Sequence, residues 1–213
     1  MNLRFWLGTT MMGLAATLAL SAQTTPAVNL PASPRGLSAI QVGGTWSTGE
    51  ERQYKGGSWI TVDYGRPILR GRSPIFGSGA TYGQLVLDGS TLWRAGANET
   101  TRLTTQAALI IGGTTVAPGT YNVLVDLKEN AWSLVLTNQP AQTKYDPNEK
   151  VLLYGSYNYN PKHDVLRAPM QVSTAPRSVE QFTIGFLDVQ PTGGTLYMAW
   201  DRTVAMVEFA LKK

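Results

Sequence analysis

From about residue 37 onward, apolar and polar positions alternate with a period of two in run after run, as half-buried β-strands require. Ile60, Val62 and Tyr64 point one way, with Trp59, Thr61 and Asp63 between them. Tyr121, Val123, Val125 and Leu127 alternate with Asn122, Leu124 and Asp126. Lys128-Glu129-Asn130 then turns the chain into Trp132, Leu134 and Leu136, which predicts a hairpin. Phe182, Ile184 and Phe186 form another inward face. Leu196, Met198 and Trp200 follow, then Asp201-Arg202-Thr203 as a turn, then Val207, Phe209 and Leu211. The strands are expected to be about 5–8 residues long, punctuated by Gly, Pro, Asn and Asp. The one helical feature expected is a turn near Ala175 to Ser178. This pattern predicts an all-β chain: an antiparallel β-sandwich, jelly-roll-like, spanning 37–213 as a single domain. Two long stretches break the alternation, Gly65 to Gly83 and the tyrosine-rich Ala141 to Asp164, and they predict long loops at one end of the sandwich.

The N-terminus follows a different pattern. Asn2, Leu3 and Arg4 give a short positive start, Phe5 to Leu20 is uncharged and mainly apolar, and Ser21-Ala22 supply small residues for cleavage. That layout predicts a signal peptide over 1–22 and a mature chain that starts at Gln23, exported to the periplasm or the extracellular space. A membrane anchor is the competing reading, but the run is broken by Gly8, Thr9, Thr10 and Gly13 and falls short of the ~20 residues of a span. No later segment is expected to cross a membrane as a helix. Residues 23–36 carry three prolines and few large apolar side chains, and they predict an extended leader.

Composition narrows the picture. The 213 residues are 43% hydrophobic and 15% charged, so a packed core is expected and global disorder is not. With no cysteine, disulfides, thiolate metal sites and thiol nucleophiles are all excluded. Removal of Arg4 with the signal leaves 17 basic against 14 acidic residues, a net charge of about +3. There is no Lys/Arg run, so nucleic acid is not an expected partner.

Two segments carry candidate chemistry. Asp63-Tyr64-Gly65-Arg66-Pro67-Ile68-Leu69-Arg70-Gly71-Arg72 brings three arginines off a strand end, and Trp93-Arg94-Ala95-Gly96-Ala97-Asn98-Glu99-Thr100 packs Trp, Arg, Asn and Glu into seven residues. Arginine offers a planar fork for carboxylate, phosphate or sulfate, and Asn and Glu grip hydroxyls. The two segments are expected to meet, with Glu99 contacting Arg66, Arg70, Arg72 or Arg94. That convergence either forms a polar pocket or ties loops to the sheets as a buried ion pair. Glu99 with Asp63 is the carboxylate pair to test for glycoside hydrolysis. His163, the single histidine, lies beside Asp164 without a nucleophile elbow, and it reads as a surface-loop residue. One histidine builds no typical zinc site, and no metal or cofactor is expected.

Tyr64-Gly65-Arg66-Pro67, Arg70-Gly71-Arg72, Ile75-Phe76-Gly77 and Trp93 to Thr100 occur in the order seen in a known family. So do Ile111-Gly112-Gly113, Val116-Ala117-Pro118-Gly119-Thr120-Tyr121, Tyr154-Gly155, the Tyr159 to Asp164 stretch and Val179 to Ile184. Over about 33–211 the chain resembles the bacterial proteins grouped as domain of unknown function 2911. The resemblance implies an exported β domain and carries no established activity. Leu85 to Trp93 departs from the family's usual approach to the Trp-Arg motif, Ser78 to Gln84 and part of Gly43 to Gly57 look inserted, and Tyr154 stands where the family has Trp.

The leading functional expectation is a non-catalytic module that binds a small polar or anionic ligand, such as a saccharide. The ligand-binding residues expected are Tyr64, Arg66, Arg72, Trp93, Arg94, Asn98 and Glu99. The alternatives are a hydrolase with Glu99 as general acid or base, and a structural envelope protein in which the motifs are architectural. The sequence does not specify an oligomeric state.

Overall fold

A computed structural model describes residues 30–213, so the expected signal segment and the first part of the leader lie outside the described residues. Alternation becomes strand where expected. In chain order the strands are β1 (Arg35–Val42), β2 (Thr45–Trp46), β3 (Tyr54–Lys55), β4 (Ser58–Gly65), β5 (Thr101–Thr105), β6 (Leu109–Ile111), β7 (Thr114–Val116), β8 (Gly119–Asp126), β9 (Ser133–Thr137), β10 (Asp164–Pro169), β11 (Gln171–Gln190) and β12 (Gly193–Leu211). A six-stranded sheet runs β1-β4-β5-β8-β9-β10, a four-stranded sheet runs β11-β12-β6-β7, and β2 and β3 form a small separate hairpin. Neighbours pair antiparallel throughout these sheets.

The fold is an antiparallel β-sandwich. Ile60, Val62, Tyr64, Leu103, Val123, Val125, Leu134 and Leu136 from the larger sheet share one buried core with Phe182, Ile184, Leu196, Met198, Trp200 and Phe209 from the smaller. Tyr64 joins the two sheets by a hydrogen-bond exchange: its hydroxyl donates to the Ile184 carbonyl (3.1 Å) and accepts from the Ile184 N–H (2.9 Å). On the outer face of the larger sheet, Leu124 and Val135 are covered by Leu92 and Tyr159, which explains why a nominally outward position on β8 is apolar.

Four local expectations need correction. The leader's last two residues, Arg35 and Gly36, already belong to β1. Asp201-Arg202-Thr203 is no turn, because β12 continues through it; likewise Ala175 to Ser178 is strand. Around Asp201, whose φ is +51°, β11 carries extra residues opposite β12 and bulges between Thr174 and Thr183. The hairpin arms are therefore 20 and 19 residues long, where short separate strands were expected. A bulge absorbs the bend that a turn would otherwise make, and period-two patterning does not distinguish the two. A short helix α1 (Gln84–Leu87), not anticipated, sits within the connection from β4 to β5. No helix among the described residues is long and apolar enough to cross a membrane.

Candidate functional site

Strands β4 and β5 are neighbours in the sheet, yet residues 66–100 separate them in sequence, and this excursion carries both motifs. Its first part docks on the bulge of β11. Leu69 N–H donates to the Glu180 carbonyl (2.7 Å), Phe182 N–H to the Pro67 carbonyl (2.9 Å), and Arg70 N–H to Glu180 Oε1 (2.9 Å). Buried Asp201 anchors the next stretch, accepting from Ser73 Oγ (2.8 Å), Ile75 N–H (3.3 Å) and Ser178 Oγ (3.0 Å).

The two motifs do meet, through their glycines. A Cβ on Gly65 would lie 2.1 Å from the Ala97 carbonyl oxygen, and one on Gly96 would lie 2.9 Å from the Gly65 oxygen. The side chains then diverge. Tyr64 and Trp93 are core residues. Arg66 lies across Gly36, with its Nε donating to the Phe182 carbonyl (3.4 Å). Glu99 bonds none of the four arginines named for it. Its ion-pair partner is Arg35 (3.2 Å), whose guanidinium also holds Asp63 (2.6 Å). Arg35 belongs to β1 and not to the expected leader. On β1 it sits diagonally across from Asp63, because Leu37 is the residue that opposes Asp63 in the register. Asp63 and Glu99 thus share one cation in a shallow surface site that Arg102 also lines.

Arg72, Arg94 and Asn98 line a different concavity, a cleft of about 260 Å³ with Asp88, Trp93 and Trp200 in its wall. Phe76, Trp93, Trp132, Phe182 and Trp200 pack beneath it as one aromatic cluster, with Trp93 and Trp200 stacked at 6.4 Å. Both arginines are held in place. Arg72 Nε and Nη2 donate to the carbonyls of Leu69 (3.0 Å) and Ile68 (2.7 Å), and its guanidinium carbon lies 5.7 Å from the centre of the Trp200 ring. Arg94 lies between Gly155, where a Cβ would come 3.0 Å from its guanidinium carbon, and the Tyr157 ring at 5.0 Å. The backbone at Gly155, at φ +58°, approaches this closely because it has no side chain.

Charge in the cleft is unbalanced. Arg94 is largely buried, and its ion pair is a 3.5 Å contact with Asp88, whose own side chain is 70% exposed. Arg72 has no ion pair among the described residues. The Trp200 indole N–H is buried without a hydrogen-bond partner among them. Asp88 also accepts from the Tyr157 hydroxyl (2.6 Å), and chiefly for that reason the Tyr157 pKa is pushed above the usual tyrosine value. Among the described residues the cleft therefore sets two guanidinium groups against one carboxylate, an arrangement suited to an anionic ligand. Among the described residues no cluster of His, Cys, Asp or Glu suits a metal ion.

Sequence reasoning missed Asp88, Trp200, Tyr157 and Arg35. Tyr157 lies in the tyrosine-rich Ala141 to Asp164 stretch. Trp200 and Arg35 carried no signal beyond their strand and leader positions. No curated protein and no solved structure matches the chain. A family profile described as Protein of unknown function (DUF2911) matches residues 47–209, which include both glycine-matched motifs and the cleft arginines, and the chain belongs to that family.

Proposed function

We propose that the chain is an exported, non-catalytic module that binds a small anionic or polar ligand in the cleft between Arg72, Arg94 and Asn98. The observation that carries this reading is the charge balance: two immobilised guanidinium groups face a cleft whose one carboxylate among the described residues, Asp88, points largely to solvent. A carboxylate, phosphate or sulfate would complete the missing pairing, and the fixed forks limit the entropy lost on binding. The volume lies just below the range of roughly 300–1,000 Å³ typical of drug-sized pockets, which favours a ligand such as a sugar acid. Export rests on the layout of residues 1–22.

Titration calorimetry of the purified protein with sulfate, phosphate, citrate and glucuronate tests the reading. At least one should bind, more weakly as salt rises, and Arg72→Gln and Arg94→Gln should each weaken it about tenfold or more. Absence of binding by all four, or equal binding by both variants, would sink the proposal.

A second reading, hydrolysis with Glu99 as acid or base, is favoured by the shared position of Asp63 and Glu99 on Arg35. It is the weaker one, because both carboxylates are half-exposed and ion-paired and lack the apolar enclosure that tunes a general acid.

A further inference from the structure

A second concavity lies away from the arginine motifs, between the β2–β3 hairpin and the tip of the β11–β12 hairpin. It is a groove of about 630 Å³ lined by Gln41, Thr45, Trp46, Tyr54, Gln190 and Pro191, among others. Trp46 is 64% exposed, an unusual position for the largest apolar side chain on a two-residue strand. Its neighbour is locked. Tyr54 opposes Trp46 in the register, stands edge-on to it at 5.4 Å, and accepts from the Gly44 N–H through its hydroxyl (2.9 Å). Gly44 and Gly57 lie against the Tyr54 ring, where a Cβ at either would come 2.6 or 2.8 Å from Cε1. Gln41, which also lines the groove, is held by its Nε2, which donates to the Gly57 carbonyl (3.1 Å). Trp59, opposite Gln41 in the register and 45% exposed, extends the aromatic surface along β4.

Charge complementarity selects the occupant. Among the described residues no Asp, Glu, Lys or Arg lines the groove, so it offers no ion pair to a charged ligand. It offers aromatic faces for apolar C–H surfaces together with amide and hydroxyl groups for hydroxyls. We propose that the Trp46–Tyr54 groove binds a neutral saccharide, independently of the arginine cleft.

The test uses the purified full chain with neutral hexasaccharides of α-1,4-glucose, β-1,4-glucose and β-1,4-N-acetylglucosamine, followed by tryptophan fluorescence and calorimetry. At least one should bind, and Trp46→Ala should weaken it about tenfold or more, as truncating an aromatic anchor does. Arg94→Gln should leave that affinity unchanged, which separates this site from the cleft. Because Trp46 is exposed, its variant should keep the wild-type melting temperature. The proposal is overturned if no hexasaccharide binds, or if Trp46→Ala binds equally well. It is also overturned if sedimentation shows a dimer that Trp46→Ala dissociates while no saccharide binds, because the groove would then serve a second copy of the chain.

Discussion

Gly65 and Gly96 face each other where β4 ends, and their contact is backbone against backbone. A flexible side chain could swing aside, but the Ala97 carbonyl moves only if the whole motif moves. Gly65→Ala should therefore cost about 1–3 kcal/mol by overpacking, seen as a lower urea midpoint at unchanged slope. Gly36→Ala should cost less, because the atom in its way is the mobile Arg66 Cδ. Glu99 behaves in the opposite sense. A buried partner would make Glu99→Gln cost several kcal/mol, but Glu99 and Arg35 are 45% and 36% exposed. The same urea measurement should give a loss of about 0.2–1 kcal/mol.

At the scale of elements, the bulge in the β11–β12 hairpin decides where the site lies. Asp201 sits in left-handed backbone there and gathers Ser73, Ile75 and Ser178, so it ties the segment that follows Arg72 to the smaller sheet. Asp201→Ala should leave three donors short of an acceptor and cost about 3 kcal/mol or more, with faster amide exchange at Ile75 as the local readout. Asp201→Asn retains one carbonyl acceptor and should fall between the variant and the parent.

Across the whole molecule, tyrosines tie the two long connections down: Tyr159 binds the second to β10, Tyr157 binds it to Asp88 of the first, and Tyr82 of the first accepts from the Trp132 indole beside β9. Tyr159 donates to Asp164 (2.6 Å) and accepts from Arg167 (2.5 Å), while Arg167 also holds Asp126 (3.2 Å). Burial, with the Asp164 hydrogen bond second, pushes the Tyr159 pKa from 10.0 up to about 12. The folded chain therefore holds a proton that the unfolded chain has already lost. The contribution of Tyr159 to stability is fully present below pH 10 and is lost as pH rises from 10 to about 12. Tyr82, through burial, and Tyr157, through Asp88, shift in the same direction. Urea unfolding across that interval should show stability falling with pH, and Tyr159→Phe should reduce the slope without abolishing it.

The inward faces of β4, β8, β9, β11 and β12 were legible in the sequence because alternation is a local property: each strand shows which residues it buries before any partner is known. The meeting of the Tyr64 and Trp93 motifs was also legible, since glycine beside charged residues marks close backbone approach. The motif order placed the chain in its family without assigning an activity. The tertiary structure alone decided the rest. Arg35 took Glu99 because strand register brought it beside Asp63, and Arg94 found Gly155 and Tyr157 across a long gap in sequence. At the bulge, Asp201 took hydrogen bonds from Ser73 and Ile75 of the 66–100 excursion, more than 120 residues away in sequence. Each of these depends on which distant segments pack together, and a single chain's periodicity carries no record of that.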